Sequence, residues 1–394
     1  MLHKTRRALI LLSVIQALYF GIFAVTSYQT VYLQNEAMTG TQIGMIVAVS
    51  SVTGLVASPL WGILSDRLRS ARGTFLLCVA VTALMYALLP HLGAVAGGGF
   101  GFYGVYIPAI FIFKQASNAM LDGWCIGELA PLGVSYGSVR MWGSIGYCVS
   151  FLLLGTLVGT RLPVHQVFGV MAPLLAVLLL TGSWIPRQQP PEKKKSAPVG
   201  GAGQLMKNRQ FLIYLLYALG LNIYLAVTLI FMPYILEAAG CEAAQVGTVT
   251  GFRALMEITS MFLGAKLCKC FPTRYIMVLP GLLFGLEHLC YGFAAGLPGL
   301  LCVMVLSGLA GGFFYSLGPS YIFEIVSPEV VHTAQTLNAM DLTLVSIVGS
   351  ALGGAVIDRW GVHAMTTFCG CLILVLTALF GGSLYLENKK RCDL

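Results

Sequence analysis

Ile43–Leu64 reads IGMIVAVSSVTGLVASPLWGIL, Ser65–Arg72 reads SDRLRSAR, and Thr74–His91 reads TFLLCVAVTALMYALLPH. Two apolar runs thus flank a short turn that holds Asp66, Arg67, Arg69 and Arg72. A helix needs about 20 mostly apolar residues to cross about 30 Å of hydrocarbon, and both runs approach or exceed that length. The pattern recurs along the chain. Spans are predicted at 8–33, 43–64, 74–91, 98–121, 139–160, 165–185, 211–236, 243–264, 275–294, 298–322, 335–357 and 363–385. A charge inside hydrocarbon is costly and marks a functional position or a buried partner. Lys114, Asp122, Arg140, Arg253, Glu257, Glu287 and Asp341 all fall within or at the edges of these runs. The reading is a polytopic membrane protein with a polar pathway through it.

Composition excludes the main alternatives. The 394 residues are 57% hydrophobic and 10% charged, with a mean hydropathy of +0.84. A soluble domain carries about 25% charged residues, so this chain cannot build a water-facing surface. Its loops are too short for a catalytic module. No nucleophile–base arrangement or phosphate loop occurs, so an enzyme is not expected.

The net charge of +8 suggests a nucleic-acid partner until its placement is considered. Basic residues gather at Lys4, Arg6 and Arg7; at Arg67, Arg69 and Arg72; at Arg187, Lys193, Lys194, Lys195, Lys207 and Arg209; at Lys266, Lys269 and Arg274; and at Lys389, Lys390 and Arg391. Alternating spans put all of these on one side, leaving Arg161 and Arg359 opposite. That is the positive-inside pattern, with both termini cytoplasmic in the cytoplasmic membrane. Contact with anionic lipid accounts for the excess charge without nucleic acid. Eleven cysteines are scattered, mostly within spans; Cys268 and Cys270 form a lone Cys-x-Cys in a cytoplasmic loop. This is not a metal-ligand spacing, so free thiols, no metal and no cofactor are expected. The apolar run after Met1–Arg7 exceeds a signal-peptide core and reads as the first span.

The longest interruption, Pro186–Gln210, is rich in Pro, Lys, Gly and Ala and reads as a cytoplasmic linker. It divides residues 1–185 from 211–394, six spans from six. An internal repeat supports the division. YLQNEAMTGTQIGMIVAVSSVTGLVASPLWGIL (Tyr32–Leu64) aligns with YILEAAGCEAAQVGTVTGFRALMEITSMFLGAKL (Tyr234–Leu267), matching Gln42-Ile-Gly44 to Gln245-Val-Gly247. Parallel repeats of this kind build two pseudo-symmetric six-helix bundles with a solute site near the bilayer midplane. Glycines at small-xxx-small spacing, such as Gly308 with Gly312 and Gly349 with Gly353, suit close helix packing.

The turn Gly62-Ile-Leu-Ser-Asp66-Arg67-Leu-Arg69-Ser-Ala-Arg72 resembles the cytoplasmic signature of the major facilitator superfamily. The resemblance implies an all-α membrane fold of twelve transmembrane helices and a gate built on Gly62, Asp66, Arg67 and Arg72. In it, Asp66 faces a helix terminus while the arginines pair across to the other bundle. The second-half counterpart, Gly264-Ala-Lys266-Leu-Cys-Lys269, is degenerate.

A narrower resemblance follows. Tyr136-Gly137-Ser-Val-Arg140-Met-Trp142-Gly143-Ser-Ile-Gly146-Tyr147 is similar to the opening of span five in the lactose-permease and phenylpropionate-permease branch. In its sugar-carrying members that arginine and an acidic residue in span four bind solute together, and an aromatic stacks on the sugar ring. Those positions here are Arg140, Asp122 and Tyr147. Span ten of that branch carries a histidine and a nearby carboxylate. Leu306–Gly311 has neither, and span nine holds Glu287-His288 in place of an arginine.

The residues also speak for themselves. Lys114, Asn118 and Asp122 stand at i, i+4 and i+8 on one face of span four, flanked by Gln115. A polar stripe on an apolar helix faces the bundle interior or water. Arg140 offers a fork to a hydroxyl pair or a carboxylate. Tyr19 and Phe23 belong to an aromatic stripe in span one and are candidate cavity residues. In the second half Arg253 and Glu257 are i, i+4, Glu287 and His288 are mid-span, and Asp341 lies in span eleven. This set is read as proton-coupling machinery: Glu257 and Glu287 carry the proton, with Arg253 and His288 tuning them. Glu324, Glu329, His332 and Asp358-Arg359 read as loop or cap charges.

The function expected is secondary transport of a small polar solute by alternating access, in symport with protons. The solute is a sugar or oligosaccharide, a nucleoside or a small aromatic acid. The partners are that solute, protons and the lipid bilayer, and the chain is expected to act as a monomer. A drug efflux pump is the first alternative, but it calls for a carboxylate in span one, which has none. A non-transporting receptor on the same fold is the second, and it needs no titratable groups within the membrane.

Overall fold

The computed structural model describes residues 2–68, 70–129, 132, 134, 136–158, 160–185, 202–267, 270–327 and 330–392. The predicted linker is outside them up to residue 201, as are Arg69, Cys268, Lys269 and Glu329; so are the side chains of Lys4, Asp66 and His332.

The apolar runs become helices. They are α1 (Leu2–Val25), α2 (Gln29–Asn35), α3 (Gly40–Leu68), α4 (Ala71–Val95), α5 (Phe100–Leu129), α6 (Gly137–Leu157), α7 (Met171–Ser183) and α8 (Ala202–Leu205). Then follow α9 (Arg209–Ile223), α10 (Met232–Ala238), α11 (Val246–Leu267), α12 (Thr273–Ile276), α13 (Val278–Cys290), α14 (Gly296–Ile325), α15 (Val331–Trp360) and α16 (Val362–Cys392). Local chemistry sets their ends. Ser70 caps α4 by accepting from the Gly73 amide at 3.0 Å, and Asn208 caps α9 by accepting from the Phe211 amide at 3.1 Å. Gly361, at φ +84°, separates α15 from α16 in a conformation that disfavours a Cβ.

Two predicted spans are broken rather than continuous. Span one is α1 and α2 joined through a 3-10 turn at Thr26–Tyr28, where Thr26 Oγ1 donates to the Phe23 carbonyl at 2.7 Å. Such a local bond competes with regular helix geometry. Span seven is α9 and α10, joined through a π-helical turn at Tyr224–Thr228 and with Pro233 at the start of α10. Span four is longer than its apolar run. It continues to Leu129, where Trp124 Nε1 donates to Glu128 Oε1 one turn on, at 3.2 Å.

Among the described residues, nine helical stretches are long and apolar enough to cross a membrane. The other three long helices, α5, α6 and α11, carry Lys114 and Asp122, Arg140, and Arg253 and Glu257. The polar residues under scrutiny therefore concentrate where the apolar signal is weakest.

The chain forms two compact units, Met1–Lys194 with Ala244–Gly251, and Lys195–Ala243 with Phe252–Leu394. In the first, α1 packs on α6 and α7, α3 on α5, and α4 on α5 and α7. In the second, α9 packs on α15 and α16, and α13 on α14 and α16. There α11 lies against α14, where Gly308 and Gly312 let the Met256 side chain and the Glu257 carbonyl approach closely. The pairing order repeats. First with fifth span (α1 and α6) matches seventh with eleventh (α9 and α15). Second with fourth (α3 and α5) matches eighth with tenth (α11 and α14), and third with sixth (α4 and α7) matches ninth with twelfth (α13 and α16). This is the twelve-helix, pseudo-symmetric architecture anticipated from the repeat.

Candidate functional site

In the first unit the polar stripe of α5 meets the aromatic stripe of α1. Lys114 stands midway along α5. Its ammonium lies 4.7 Å from the centroid of Phe23, 4.7 Å from that of Phe111 and 5.7 Å from that of Tyr86. It donates to Thr26 Oγ1 at 3.0 Å, and that hydroxyl is held by its own bond to the Phe23 carbonyl. The break after α1 thus presents a hydroxyl to a cation caged by rings of α1, α4 and α5. Tyr86 is fully buried, stacks on Phe168 and donates to Gln29 Oε1 at 2.7 Å, which fixes one wall of the cage.

Phe20 lies next to this cage and carries the second cation. Its ring is 6.5 Å from Phe23 and 5.1 Å from Tyr19. The Arg140 guanidinium sits over it with Cζ 4.2 Å from the centroid. Tyr19 is buried and shares a 2.9 Å hydrogen bond with Ser117 of α5. The structure therefore gathers Tyr19, Phe23, Lys114 and Arg140 along one aromatic string.

Asp122 lies near the start of α6 and is bonded by Tyr136. Its Oδ1 takes a hydrogen bond from the Tyr136 hydroxyl at 2.5 Å, not from Arg140. Burial and the Asp122 carboxylate push the Tyr136 phenol above its ordinary value, while Arg140 acts in the opposite sense. Both charges thus lie within electrostatic reach of Tyr136, near the start of α6, about two turns from Lys114. Tyr147 is half-buried with its ring edge-on to Phe151 at 4.5 Å. Asn118 is exposed.

The second unit holds the acidic cluster. Arg253 Nη2 and Glu257 Oε2 form an ion pair at 2.7 Å, with the arginine side chain 4% and the glutamate 20% exposed. The Arg253 guanidinium also lies 4.7 Å from the Tyr224 ring, presented by the π-helical turn. Glu287 is fully buried. Its Oε1 accepts from the Tyr291 hydroxyl at 2.6 Å, while Oε2 has no hydrogen-bond partner. Arg253 acts on it electrostatically, and the Ser307 hydroxyl faces it without a formed hydrogen bond.

His288 is adjacent to Glu287 in sequence but turned away from it. Nδ1 bonds the Phe284 carbonyl at 2.7 Å and Nε2 bonds Thr228 Oγ1 at 2.7 Å. A carbonyl only accepts, so Nδ1 carries a proton and both ring nitrogens are occupied. The expected tuning of Glu287 by His288 gives way to a bridge between α13 and the π-helical turn. Asp341 also stands apart. It is buried, with Oδ2 unpartnered, and acts electrostatically on Tyr214 of α9. Tyr214 is ten residues before Tyr224, or about 15 Å along the chain of the span. Of the five predicted coupling residues, Arg253, Glu257 and Glu287 come together, His288 bonds Phe284 and Thr228, and Asp341 lies toward Tyr214.

In the signature turn, Arg67 is exposed and Gly62 has open space around it. Arg72 Nη1 donates to the Ile185 carbonyl just past the end of α7, and Glu128 of α5 lies within its electrostatic reach. Within the first unit, Arg72 thus ties the start of α4 to the end of α7.

Tyr291 lies four residues after Glu287, the same spacing that singled out Arg253 and Glu257, so that partner was visible in the sequence. Thr26, Tyr86, Phe111, Tyr224 and Thr228 were not. They come from other helices, and periodicity within one helix does not name the neighbour it packs against.

Nine apolar helical stretches among the described residues, with α5, α6 and α11 beside them in two repeated sets, define a multi-pass membrane protein with charged groups held inside it. The model of the MFS_1 like family matches residues 9–369. The chain belongs to that family. A mutant form of the nucleoside transporter NupG has a solved structure that superposes with a TM-score of 0.82 at 17% identity, covering 95% of this chain and 99% of that one. Among curated relatives, the maltose permease of Geobacillus stearothermophilus is 26% identical over 382 residues, covering 92% of each protein. The nucleoside permease NupG of Escherichia coli (strain K12) is 24% identical over 372 residues, covering 88% of this chain and 85% of that one. The fold and these relatives indicate a transporter and not an enzyme.

Proposed function

We propose that this chain moves a small polar solute across the cytoplasmic membrane by alternating access, in symport with protons. The solute classes are those of its relatives and its residues: a sugar or oligosaccharide, a nucleoside, or a small aromatic acid. The two halves 1–185 and 211–394, joined by the linker 186–210, act as a monomer with both termini cytoplasmic. Lys114, Arg140, Asp122, Tyr147, Asn118, Tyr19 and Phe23 serve the solute. Glu287 and Glu257 serve the proton, with Arg253 beside them. Gly62, Asp66, Arg67 and Arg72 form the gate motif, in which Arg72 acts by holding the end of α7.

One observation carries the coupling. Glu287 is fully buried, with one oxygen bound by Tyr291 and the other lacking a partner. The nearby guanidinium is already committed to Glu257. A buried carboxyl with an unfilled oxygen is a place where a proton binds and leaves, and intramembrane carboxyls of this kind form proton relays.

The test is uptake into proteoliposomes of labelled sugars, nucleosides and aromatic acids, with and without an inward proton gradient, for the wild type, Glu287→Gln and Glu257→Gln. Gradient-driven accumulation that is lost in Glu287→Gln, while equilibrating exchange survives, supports symport through that carboxyl. Transport indifferent to the gradient in all three proteins overturns it and makes the chain a facilitator.

A further inference from the structure

We infer that the solute carries a carboxylate on an apolar or aromatic body, and that Lys114 is the residue that selects it. The inference rests on the transport reading above and narrows its solute class.

Three observations lead to it. First, Lys114 has no carboxylate within ion-pairing distance among the described residues, although it lies midway along a membrane-spanning helix. An ammonium has three donors, and one of them goes to Thr26 Oγ1. A cation kept in the membrane without a counter-charge is the arrangement expected of a site whose counter-charge arrives with the solute.

Second, the surroundings suit an amphipathic anion. Lys114, Phe23 and Phe111 are each half-buried, and the ammonium lies 4.7 Å from the centroids of both rings. A neutral sugar would need several hydroxyl partners around it. This cage offers one hydroxyl, and Thr26 Oγ1 is engaged on both sides.

Third, the charge balance of the unit points the same way. Lys114 and Arg140 both lie on rings of one aromatic string, and among the described residues the carboxylate closest along α5, Asp122, is bound by Tyr136.

The test uses the full chain, purified in detergent, and reads the shift in unfolding temperature against ligand concentration. The probes are benzoate, phenylacetate and indole-3-acetate, each against its own amide. The wild type is expected to bind the acids about ten- to a hundredfold more tightly than the amides, the range a charge-assisted hydrogen bond supplies. Lys114→Gln should lose that preference and Lys114→Arg should keep it. Thr26→Val, which leaves the charge in place, should weaken the preference without abolishing it, and it serves if Lys114→Gln does not fold. Equal binding of acids and amides overturns the inference, as does a retained preference in Lys114→Gln, or no response to any acid. Gradient-driven uptake of a neutral sugar or nucleoside with no acid response leaves the transport reading intact and removes this one. Acid binding without gradient-driven uptake does the reverse.

Discussion

The guanidinium of Arg140 rests on the ring of Phe20, its Cζ 4.2 Å from the ring centroid. The contact joins the start of α6 to α1 and holds a fully charged group without enclosing it in carboxylates.

Replacing Phe20 by Leu should therefore release Arg140. A double-mutant cycle of Phe20→Leu with Arg140→Lys, read on thermal unfolding in detergent, is expected to show a coupling of about 0.5–2 kcal/mol. A coupling near zero would mean that the ring does not hold the cation.

The Arg253–Glu257 pair is asymmetric, with the arginine far more buried than the glutamate. Removing the glutamate takes an ion-pair partner from the more buried charge. Glu257→Leu should destabilise the protein by about 3–5 kcal/mol. Arg253→Met should cost less, and the double substitution should recover most of the Glu257→Leu loss. Chemical denaturation of the four proteins side by side measures this.

His288 bridges Phe284 and Thr228, so its role is read as structural. Thr228→Val should lower stability by about 1–3 kcal/mol by leaving a buried ring nitrogen unsatisfied. The gradient dependence of transport in that variant should match the wild type. A changed gradient dependence at unchanged stability would return His288 to the coupling group.

A Cβ added at Gly312 would collide with Ser260 Oγ and the Glu257 carbonyl, whereas one at Gly382 meets nothing within 4 Å. Gly312→Ala should cost about 1–3 kcal/mol through overpacking, and Gly382→Ala should be close to neutral. Equal behaviour of the two would show that α11 and α14 do not depend on that close approach.

The architecture was legible because it rests on two strong signals, apolar runs long enough to span a bilayer and a repeat joining Gln42-Ile-Gly44 to Gln245-Val-Gly247. The candidate site was legible in part. Lys114 stood out because a charge in an apolar helix is rare, and Phe23 because it shares a stripe with Tyr19. Their meeting was not legible. It depends on the break after Val25 that brings Thr26 to the ammonium, and no residue there announces a break. Asp122 and Arg140 were joined by likeness to sugar carriers, yet Tyr136, one residue before α6, takes the carboxylate instead. Asp341 is grouped with Glu287 because both are acids within predicted spans, yet its electrostatic neighbour is Tyr214, a packing that composition alone does not carry.

The π-helical turn at Tyr224–Thr228 sets the register of everything that follows it in span seven. A turn widened by one residue rotates the rest of the span by about 100° from where an uninterrupted helix would place it. Deleting Ala226, which lies inside the turn, would restore the plain register. The same deletion would swing Phe231 and Met232 off their buried faces. The length of this one turn therefore decides both how α10 is buried and where Tyr224 meets Arg253.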